Sequence, residues 1–357
     1  MKKILWLVGL VALVAVIVGG AVFVYSKRSL TAGAPTVQGN PPVIIGFALG
    51  ALREDRWLTD ENLFTERAEE LGAIVIKENS NYDVPTQMSQ IENLVSQGAK
   101  VIVIVAADSK AIAPAVESAR SAGVKVIAYD RLIRDTDIDA YVSFDNVKVG
   151  ELEAEGVLAV VQKGKFAYIG GAPTDNNAFL VKQGSMSVLS PKIESGDIQL
   201  VLDEFTPDWD PAEAYNTMRA YLATGGTVDA VIAANDGTAF GVIQALAEKG
   251  LAGRVPVSGQ DAELSALQRL VQGTQTITVY KPIKAIANEA ANLAVAMARG
   301  VVPETKVTTH NGKMDVPSYF LVPVAVTKEN IANTVIEDGF HTYAEIYQVP
   351  STPETPR

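Results

Sequence analysis

Two kinds of apolar pattern alternate along the chain from Val43 onward. Short runs rich in β-branched residues predict strands, and longer stretches with apolar residues every three or four positions predict amphipathic helices. The runs are VIIGFA at Val43, AIVIK at Ala73, VIVIV at Val101, VKVIAY at Val124, KFAYIG at Lys165, IQLVL at Ile198, DAVIAA at Asp229, VPVSG at Val255 and TITVY at Thr276. A weaker run, AYVSF, starts at Ala140. This alternation is typical of βαβ units and predicts an α/β fold with parallel sheets.

The residues at the ends of the predicted helices agree with this pattern. Asp83 precedes one helical stretch, and Asp210-Pro211 gives an N-cap followed by proline at the first helical position. Four other stretches end at a glycine, as left-handed C-caps do, at Gly72, Gly98, Gly123 and Gly250. The alternation runs once to about Phe144 and again from about Val149, which predicts two similar doubly wound, Rossmann-like lobes.

The N-terminus indicates export. Two lysines precede an uncharged and mostly apolar segment, residues 4–25, which is typical of a membrane-directed sequence. The nearest small-residue cleavage site, Ala32-Gly33-Ala34, is followed by Pro35, so we favour an uncleaved anchor over a cleaved signal peptide. Residues 26–42 indicate a flexible linker. Both interpretations place the following domain outside the cytoplasm, in the periplasm or on the outer face of the membrane.

Composition narrows the possible functions. A chain of 357 residues is long enough for two domains, and 48% hydrophobic residues exclude a disordered chain. The net charge of −11 disfavours a nucleic-acid partner. Without cysteine there are no disulfides, thiolate metal sites or cysteine nucleophiles, and two histidines offer no obvious metal site or catalytic triad.

Polar side chains follow five of the predicted strands directly. They are Asp130-Arg131, Asp175-Asn176-Asn177, Asn235-Asp236, Asp261 and Lys281. Ligands of open parallel sheets bind outside the carboxyl ends of the strands, so these residues predict one binding crevice. Acids, amides and bases together suit a neutral polyol. A phosphate site is disfavoured because GGAPTDNN carries an acid where a glycine-rich anion loop needs a donor.

Trp57 and Trp209 lie in polar, loop-like contexts, REDRWLTDE and TPDWDPAE. Each indole could cap a hydrophobic core, or it could stack against the C–H face of a sugar ring. The sequence alone leaves both interpretations open.

Other residues of the predicted crevice also have simpler interpretations. Three cations could be solvated surface charges: Arg56, Arg131 and Lys281. Three acids could be helix N-caps: Asp130, Asp175 and Asp261. Asn235-Asp236-Gly237 could be a turn.

Two kinds of chemistry need separate consideration. The string from Asp135 to Asp139 is similar to the start of a calcium-binding EF-hand loop, but Ala140 stands where that loop needs glycine, which disfavours calcium. Paired carboxylates across a cleft could hydrolyse glycosides. The neighbouring arginines and lysine instead favour binding without catalysis.

Longer stretches of the chain resemble the sugar-binding receptors of ATP-binding-cassette (ABC) importers. The resemblance covers residues 43–340 and lies with the D-xylose-binding members of the ribose- and galactose-binding, type I periplasmic binding protein family. It rests on LREDRW, TQMSQIENLV, VIAYDRLI, DIDAYVSFDNVKVGEL, GGAPTDNNA, SGQDAEL, GTQTITVYKPI and DVPSYFL. One departure is FALGALREDRW, because such receptors usually carry acids just after the first strand.

The resemblance implies a ligand, a site and partners. The site residues would be Arg56, Trp57, Asp130, Arg131, Asp175, Asn177, Trp209, Asn235, Asp261 and Lys281. The ligand would be D-xylose or a close monosaccharide, and the partners would be an ABC permease and its ATPase. The resemblance further implies a monomer without catalytic activity, cofactor, metal or nucleic acid. A monosaccharide sensor that docks to a signalling membrane protein is the alternative, and a secreted sugar-processing enzyme is less favoured.

The resemblance also implies three crossings between the lobes, near residues 146–150, 281–282 and 311–313, and closure of the lobes around the ligand. The expected N-terminal lobe comprises residues 43–148 and 281–312. The expected C-terminal lobe comprises residues 149–280 and 313–340, followed by a tail at 341–357.

Overall fold

The computed structural model describes residues 41–348, with the exception of residues 52, 55, 302 and 303. The predicted membrane-directed segment and nearly all of the predicted linker lie outside the described residues. Within the described part of the chain, no helix is both long enough and apolar enough to cross a membrane.

Strands and helices alternate as the apolar pattern predicts. The strands are β1 (Val43–Leu49), β2 (Ala73–Asn79), β3 (Val101–Val105), β4 (Lys125–Tyr129), β5 (Ala140–Phe144), β6 (Gly164–Gly170), β7 (Ile198–Phe205), β8 (Ala230–Ala233), β9 (Thr278–Tyr280), β10 (Thr308–His310), β11 (Asp315–Leu321) and β12 (Val324–Val326). The helices are α1 (Arg56–Glu70), α2 (Val84–Ser96), α3 (Ala113–Ser121), α4 (Asn146–Leu158), α5 (Asn176–Glu194), α6 (Pro211–Ala223), α7 (Asp236–Ala247), α8 (Leu264–Gln272), α9 (Ile283–Ala298) and α10 (Tyr343–Tyr347).

The first sheet has the strand order β10-β11-β5-β4-β3-β1-β2, and its strands pair in parallel except for the β10–β11 hairpin. Residues of β3 are buried throughout, as expected for a strand that helices cover on both faces. One face packs against α1 and α9, and the opposite face packs against α2 and α3. The sheet is therefore doubly wound.

The second sheet repeats this architecture. Strands β7, β6 and β8 pair in parallel, with α6 and α7 on one face and α4 and α5 on the other. The run at Val255 was predicted as a strand, but it pairs with β8 only through a bridge at Val257. Proline at position 256 has no N–H to donate to a longer ladder. Strands β9 and β12 form an antiparallel pair beside this segment.

The helix ends follow the predicted signals. Asp83 caps α2 by accepting from the backbone N–H of Thr86, and Asp210 caps α6 by accepting from that of Ala212. The four predicted C-terminal glycines all adopt left-handed backbone conformations.

The chain passes between the two sheets after β5, after β9 and between β11 and β12. The expected third crossing at residues 311–313, and with it the placement of residues 313–321 in the C-terminal lobe, is wrong. Asn311-Gly312 instead forms the turn of the β10–β11 hairpin, where Gly312 has φ +101°, and β11 pairs in parallel with β5 of the first sheet. Asn-Gly between short β runs is a hairpin signal, which the predicted domain boundary overlooked.

Candidate functional site

All ten predicted site residues line a single cavity, which lies where the carboxyl ends of strands from both sheets converge. The segments that follow strands of the first sheet supply Arg56 and Trp57 at the start of α1, and Asp130 and Arg131 directly after β4. The segments that follow β6, β7 and β8 of the second sheet supply Asp175, Asn177, Trp209 and Asn235. Asp261 comes from the segment before α8, and Lys281 directly follows β9, which pairs with β12. Glu54 and Gln260 complete the lining. The topology therefore brings together residues that are far apart in sequence.

Arg56 is the centre of a buried cluster of ion pairs. It is 1% exposed, and its Nε lies 2.9 Å from Asp60 Oδ2, one turn later on α1. Its Nη1 lies 3.0 Å from Asp130 Oδ2 and 3.4 Å from Asp261 Oδ1. Burial alone would lower the pKa of Arg56, but these three carboxylates outweigh burial and raise it well above its usual value. Arg56 is therefore a permanent internal cation and not a solvated surface charge.

Lys281 directly follows β9 and bridges two of the same carboxylates. Its Nζ lies 3.1 Å from Asp261 Oδ1 and 3.5 Å from Asp130 Oδ2. Burial tends to raise the pKa of Asp130, but Arg56, Lys281 and Arg131 outweigh it and lower this pKa to about 2. Asp130 is therefore ionised at neutral pH and holds cations around the cavity.

The backbone of Asp130 has a left-handed conformation, with φ +59°, which is uncommon for a residue with a side chain. Its carbonyl oxygen accepts hydrogen bonds from Tyr141 OH at 3.0 Å, Ser143 Oγ at 2.8 Å and Asn177 Nδ2 at 3.0 Å. Asn177 Nδ2 also donates to Asp130 Oδ1 at 3.0 Å. These bonds fix the strained turn, and such strain is concentrated at functional sites.

Arg131 links the two sheets across the cavity. Its Nε lies 3.1 Å from Asp175 Oδ2, and its Nη1 donates to the backbone oxygen of Ala106 at 3.3 Å. Asp175 also caps α5 by accepting from the backbone N–H of Asn177 at 2.9 Å, as its N-cap interpretation predicted. Burial raises the pKa of Asp175 by more than Arg131 lowers it. The carboxylate of Asp175 thus has both a capping and a cavity-lining role.

Both tryptophans pack in apolar clusters and also line the cavity, so their two interpretations coexist. The Arg56 guanidinium carbon lies 4.4 Å from the Trp57 ring centroid, a cation–π distance. Trp209 Nε1 donates to Asp175 Oδ2 at 3.2 Å. A Cβ at Gly171 would lie 2.1 Å from the Trp209 ring, so this glycine lets the indole approach the backbone closely.

The structure also distinguishes between the cap, turn and cavity-lining interpretations of Asn235, Asp261 and Asp130. Asn235 has extended backbone with φ −158° and caps α7, accepting from the backbone N–H of Thr238 at 2.8 Å, so its interpretation as a turn is wrong. The cap leaves the amide Nδ2 of Asn235 for the cavity. Asp261 is not an N-cap, because the cap position of α8 is Glu263. Asp130 is no cap either, because no helix follows it directly.

Sequence reasoning missed three groups. Glu54 lines the cavity and is 6% exposed. Gln260 also lines it. Its Nε2 donates to the backbone oxygen of Ala234 at 2.8 Å, and its buried Oε1 has no hydrogen-bond partner among the described residues. Asp60 does not line the cavity but forms an ion pair with Arg56, which does. All three stand within four residues of predicted site residues, so a search around each of those residues would have found them.

The cavity combines acceptors and donors without an excess of cations. Its charged groups are Glu54, Asp130, Asp175, Asp261, Arg56, Arg131 and Lys281. The empty space among the lining side chains, counted together with space that is open to solvent, is about 280 Å³. This arrangement can bind a small, neutral, polyhydroxylated molecule through hydrogen bonds to charged groups, which are the stronger kind.

Aspartates in the segment from Asp135 to Asp139 form ion pairs with lysines. Asp137 Oδ2 lies 3.5 Å from Lys313 Nζ, and Asp139 Oδ1 lies 3.0 Å from Lys125 Nζ. Across the described residues, no group of three or more histidine, aspartate or glutamate side chains is arranged to hold a metal ion.

Known proteins are similar to this chain over most of its length. The "D-xylose-binding periplasmic protein" of Escherichia coli is 47% identical over 85% of this chain and 92% of its own length. The "Multiple sugar-binding periplasmic receptor ChvE" of Rhizobium radiobacter is 37% identical over 83% of this chain and 90% of its own length. A carbohydrate transporter solute-binding protein from Chloroflexus aurantiacus, solved in complex with D-glucose, superimposes with a TM-score of 0.79 at 35% identity, covering 84% of this chain and 97% of its own.

A family profile described as "Periplasmic binding protein domain" matches residues 45–301. The matched region includes every residue that lines the cavity, the whole second sheet and most of the first sheet, whose strands β10 and β11 follow it. The chain therefore belongs to the periplasmic binding protein family.

Proposed function

We propose that this chain is the extracytoplasmic receptor of an ABC sugar importer, and that it binds D-xylose or a close monosaccharide in the cavity between its sheets. It then delivers the sugar, as a monomer, to a membrane permease driven by an ATPase. The xylose-binding names of relatives at 47% and 46% identity support the choice of sugar. The glucose-bound and multiple-sugar relatives support testing hexoses as well.

The composition of the cavity carries this proposal. Each side of the cavity contributes carboxylates, at least one cation and an indole. A sugar hydroxyl donates to a carboxylate and accepts from a guanidinium or ammonium group, so a ring of hydroxyls can satisfy both kinds of partner at once. The apolar C–H face of the ring suits the indoles.

We propose that the site binds without catalysis. Asp130 is ionised and forms ion pairs with Arg56 and Lys281. Asp175 accepts from the backbone N–H of Asn177 and the indole of Trp209, and it pairs with Arg131. A general acid for glycoside hydrolysis must present its proton to the substrate, which such contacts oppose.

We propose further that the two sheets are the cores of two lobes that close on the ligand. One lobe would hold residues 43–144, 283–312 and the 315–321 strand, and the other would hold residues 146–280 and 324–340. Several bonds already join the two sides, including Ser109 N to Thr174 O at 2.9 Å and Arg53 Nη1 to Asp208 O at 2.7 Å. Contacts from both sides to one ligand would favour the closed arrangement.

For the N-terminus, we propose that residues 4–25 remain attached and anchor the receptor to the outer face of the membrane. The proline after the small-residue site at residues 32–34 supports retention. Intact mass measurement of the chain from the membrane fraction of an expressing cell tests this. Retention predicts the mass of the whole chain, whereas a mature chain that begins after residue 25 would refute the anchor.

Isothermal titration tests the binding proposal. The full chain, kept in a detergent without a sugar headgroup, is titrated with D-xylose, ribose, glucose, galactose and arabinose, and the sugar is then recovered and analysed. The proposal predicts saturable one-to-one binding of xylose and unchanged recovered sugar. No binding of any of these sugars by folded chain would contradict the receptor function, and a converted product would establish an enzyme.

A further inference from the structure

Glu54 occupies a position on the cavity wall that none of the ten predicted residues covers. Its Oε2 accepts from Trp57 Nε1 at 2.5 Å, and its Oε1 accepts from Tyr82 OH at 2.9 Å. The side chain lines the cavity, and the residue is 6% exposed. A nearly buried carboxylate thus stands beside one of the two indoles.

The donor and the acceptor of each hydrogen bond around Glu54 are defined. Arg131 Nη2 donates to Tyr82 OH at 3.3 Å, so the tyrosine hydroxyl accepts from the arginine and donates its own proton to Glu54. Burial is the largest influence that raises the pKa of Tyr82, which keeps this hydroxyl protonated. The indole N–H of Trp57 can only donate. Each contact delivers a proton donor to the carboxylate.

These contacts leave acceptor capacity on Glu54. A carboxylate offers about four lone-pair sites. The indole and the phenol donate to Glu54 directly, and the phenol lies 2.9 and 3.3 Å from its two oxygens. The Arg131 guanidinium is farther away, with Nη2 3.9 Å from Oε1. Because Glu54 lines the cavity, its remaining lone pairs can accept from a ligand hydroxyl. The carboxylate is already fixed in position before the ligand binds. A polar group held by its neighbours before binding loses little freedom when the ligand arrives.

We propose that Glu54 is an additional ligand-binding and specificity-determining residue, which accepts a hydrogen bond from one particular hydroxyl of the sugar. This inference rests on the proposed function and deepens it. The site then requires a free hydroxyl at that ring position and rejects a sugar that is deoxygenated there. Rejection arises because the missing hydroxyl leaves a buried carboxylate with an unsatisfied acceptor.

A purely structural role for Glu54 predicts something different. If the carboxylate only held Trp57 and Arg131 in place, its loss would weaken binding of every sugar by a similar factor. A direct contact instead couples Glu54 to one hydroxyl of the ligand. Measurements that change the protein and the ligand together separate these cases, since a pairwise contact appears as non-additivity.

The experiment compares the full wild-type chain with Glu54→Gln and with Glu66→Gln, the same change on the exposed face of α1. Each is titrated with D-xylose and with its monodeoxy analogues. We expect the wild type and Glu66→Gln to bind one analogue on the order of 10- to 100-fold more weakly than D-xylose because of the contact with Glu54. Glu54→Gln should bind D-xylose more weakly by a similar factor and lose most of its discrimination against that analogue.

Unchanged xylose affinity in Glu54→Gln, or an equal loss for every analogue, would overturn the role of Glu54 while leaving the receptor function intact. A wild-type chain that bound no sugar would overturn both. If Glu54→Gln failed to fold by thermal denaturation, Tyr82→Phe would carry the test, because it removes the hydroxyl that orients the carboxylate. We expect Tyr82→Phe to weaken discrimination against the same analogue, and wild-type discrimination in it would reject the proposal.

Discussion

Replacement of Arg56 by methionine removes the cation at the centre of the buried ion-pair cluster while keeping a side chain of similar length. Three carboxylates, those of Asp60, Asp130 and Asp261, then lose a partner at 2.9 to 3.4 Å. Removing one member of a buried ion pair typically destabilises a protein by about 3–5 kcal/mol, because the remaining charge stays buried. We expect a loss of this size at neutral pH.

The loss should depend on pH in a direction that the contacts determine. Asp130 has its pKa lowered to about 2, so its stabilising contribution is complete above the unfolded value of about 3.9 and is lost as pH falls towards 2. Burial raises the pKa of Asp60, and Arg56 opposes this most strongly. Without Arg56, Asp60 should protonate at higher pH, and a raised pKa in the folded state makes the variant lose stability as pH rises. The difference from wild type is therefore largest near pH 7.5 and shrinks towards pH 4.5.

Urea unfolding at pH 7.5 and pH 4.5 measures this difference. Arg67→Met is the matched control, because Arg67 lies on the same helix but pairs with Glu70 at the surface. We expect the control to lose no more than about 1 kcal/mol at either pH, as surface pairs do. An Arg56→Met variant as stable as the control, or one equally destabilised at both pH values, would refute the account of the buried cluster.

Three further predictions concern binding. Lys281→Met should weaken xylose binding by about 2–4 kcal/mol in calorimetry, because two buried carboxylates lose their shared ammonium partner; unchanged affinity would remove Lys281 from the site. Gly171→Ala should displace the indole of Trp209 and weaken binding by about 1–3 kcal/mol, and a crystal structure with the indole unmoved would contradict this. Spin labels on cysteines introduced at Lys110 and Pro173, in a chain without natural cysteine, should approach each other when xylose binds. A distance between the labels that does not change on addition of xylose would argue against closure.

The sequence predicted most of the residues that line the cavity because most of them lie near strand ends. In a parallel sheet the carboxyl ends of the strands share one edge, so polar residues after strands of the same sheet, such as those after Gly170 and Ala233, were expected to lie near each other. The pairing within the cavity could not be predicted in the same way. That Arg56 contacts Asp261 and Arg131 contacts Asp175 depends on how the two sheets face each other.

The errors have specific physical origins. Strand propensity at Val257 was outweighed by the neighbouring proline, which cannot extend a ladder. The lack of acids directly after β1 was recognised as a departure from similar receptors, but Glu54 supplies a carboxylate to the cavity from the turn that leads into α1. That compensation depends on the path of the turn and on Tyr82, neither of which the apolar pattern encodes.

A crystal structure of the chain grown with D-xylose tests the central claim most directly. The account predicts one sugar in the cavity, with hydroxyls bonded to carboxylates from both sheets and its ring against an indole. A sugar bound elsewhere, or an empty cavity at saturating xylose, would contradict the claim that this cavity is the binding site of a monosaccharide receptor.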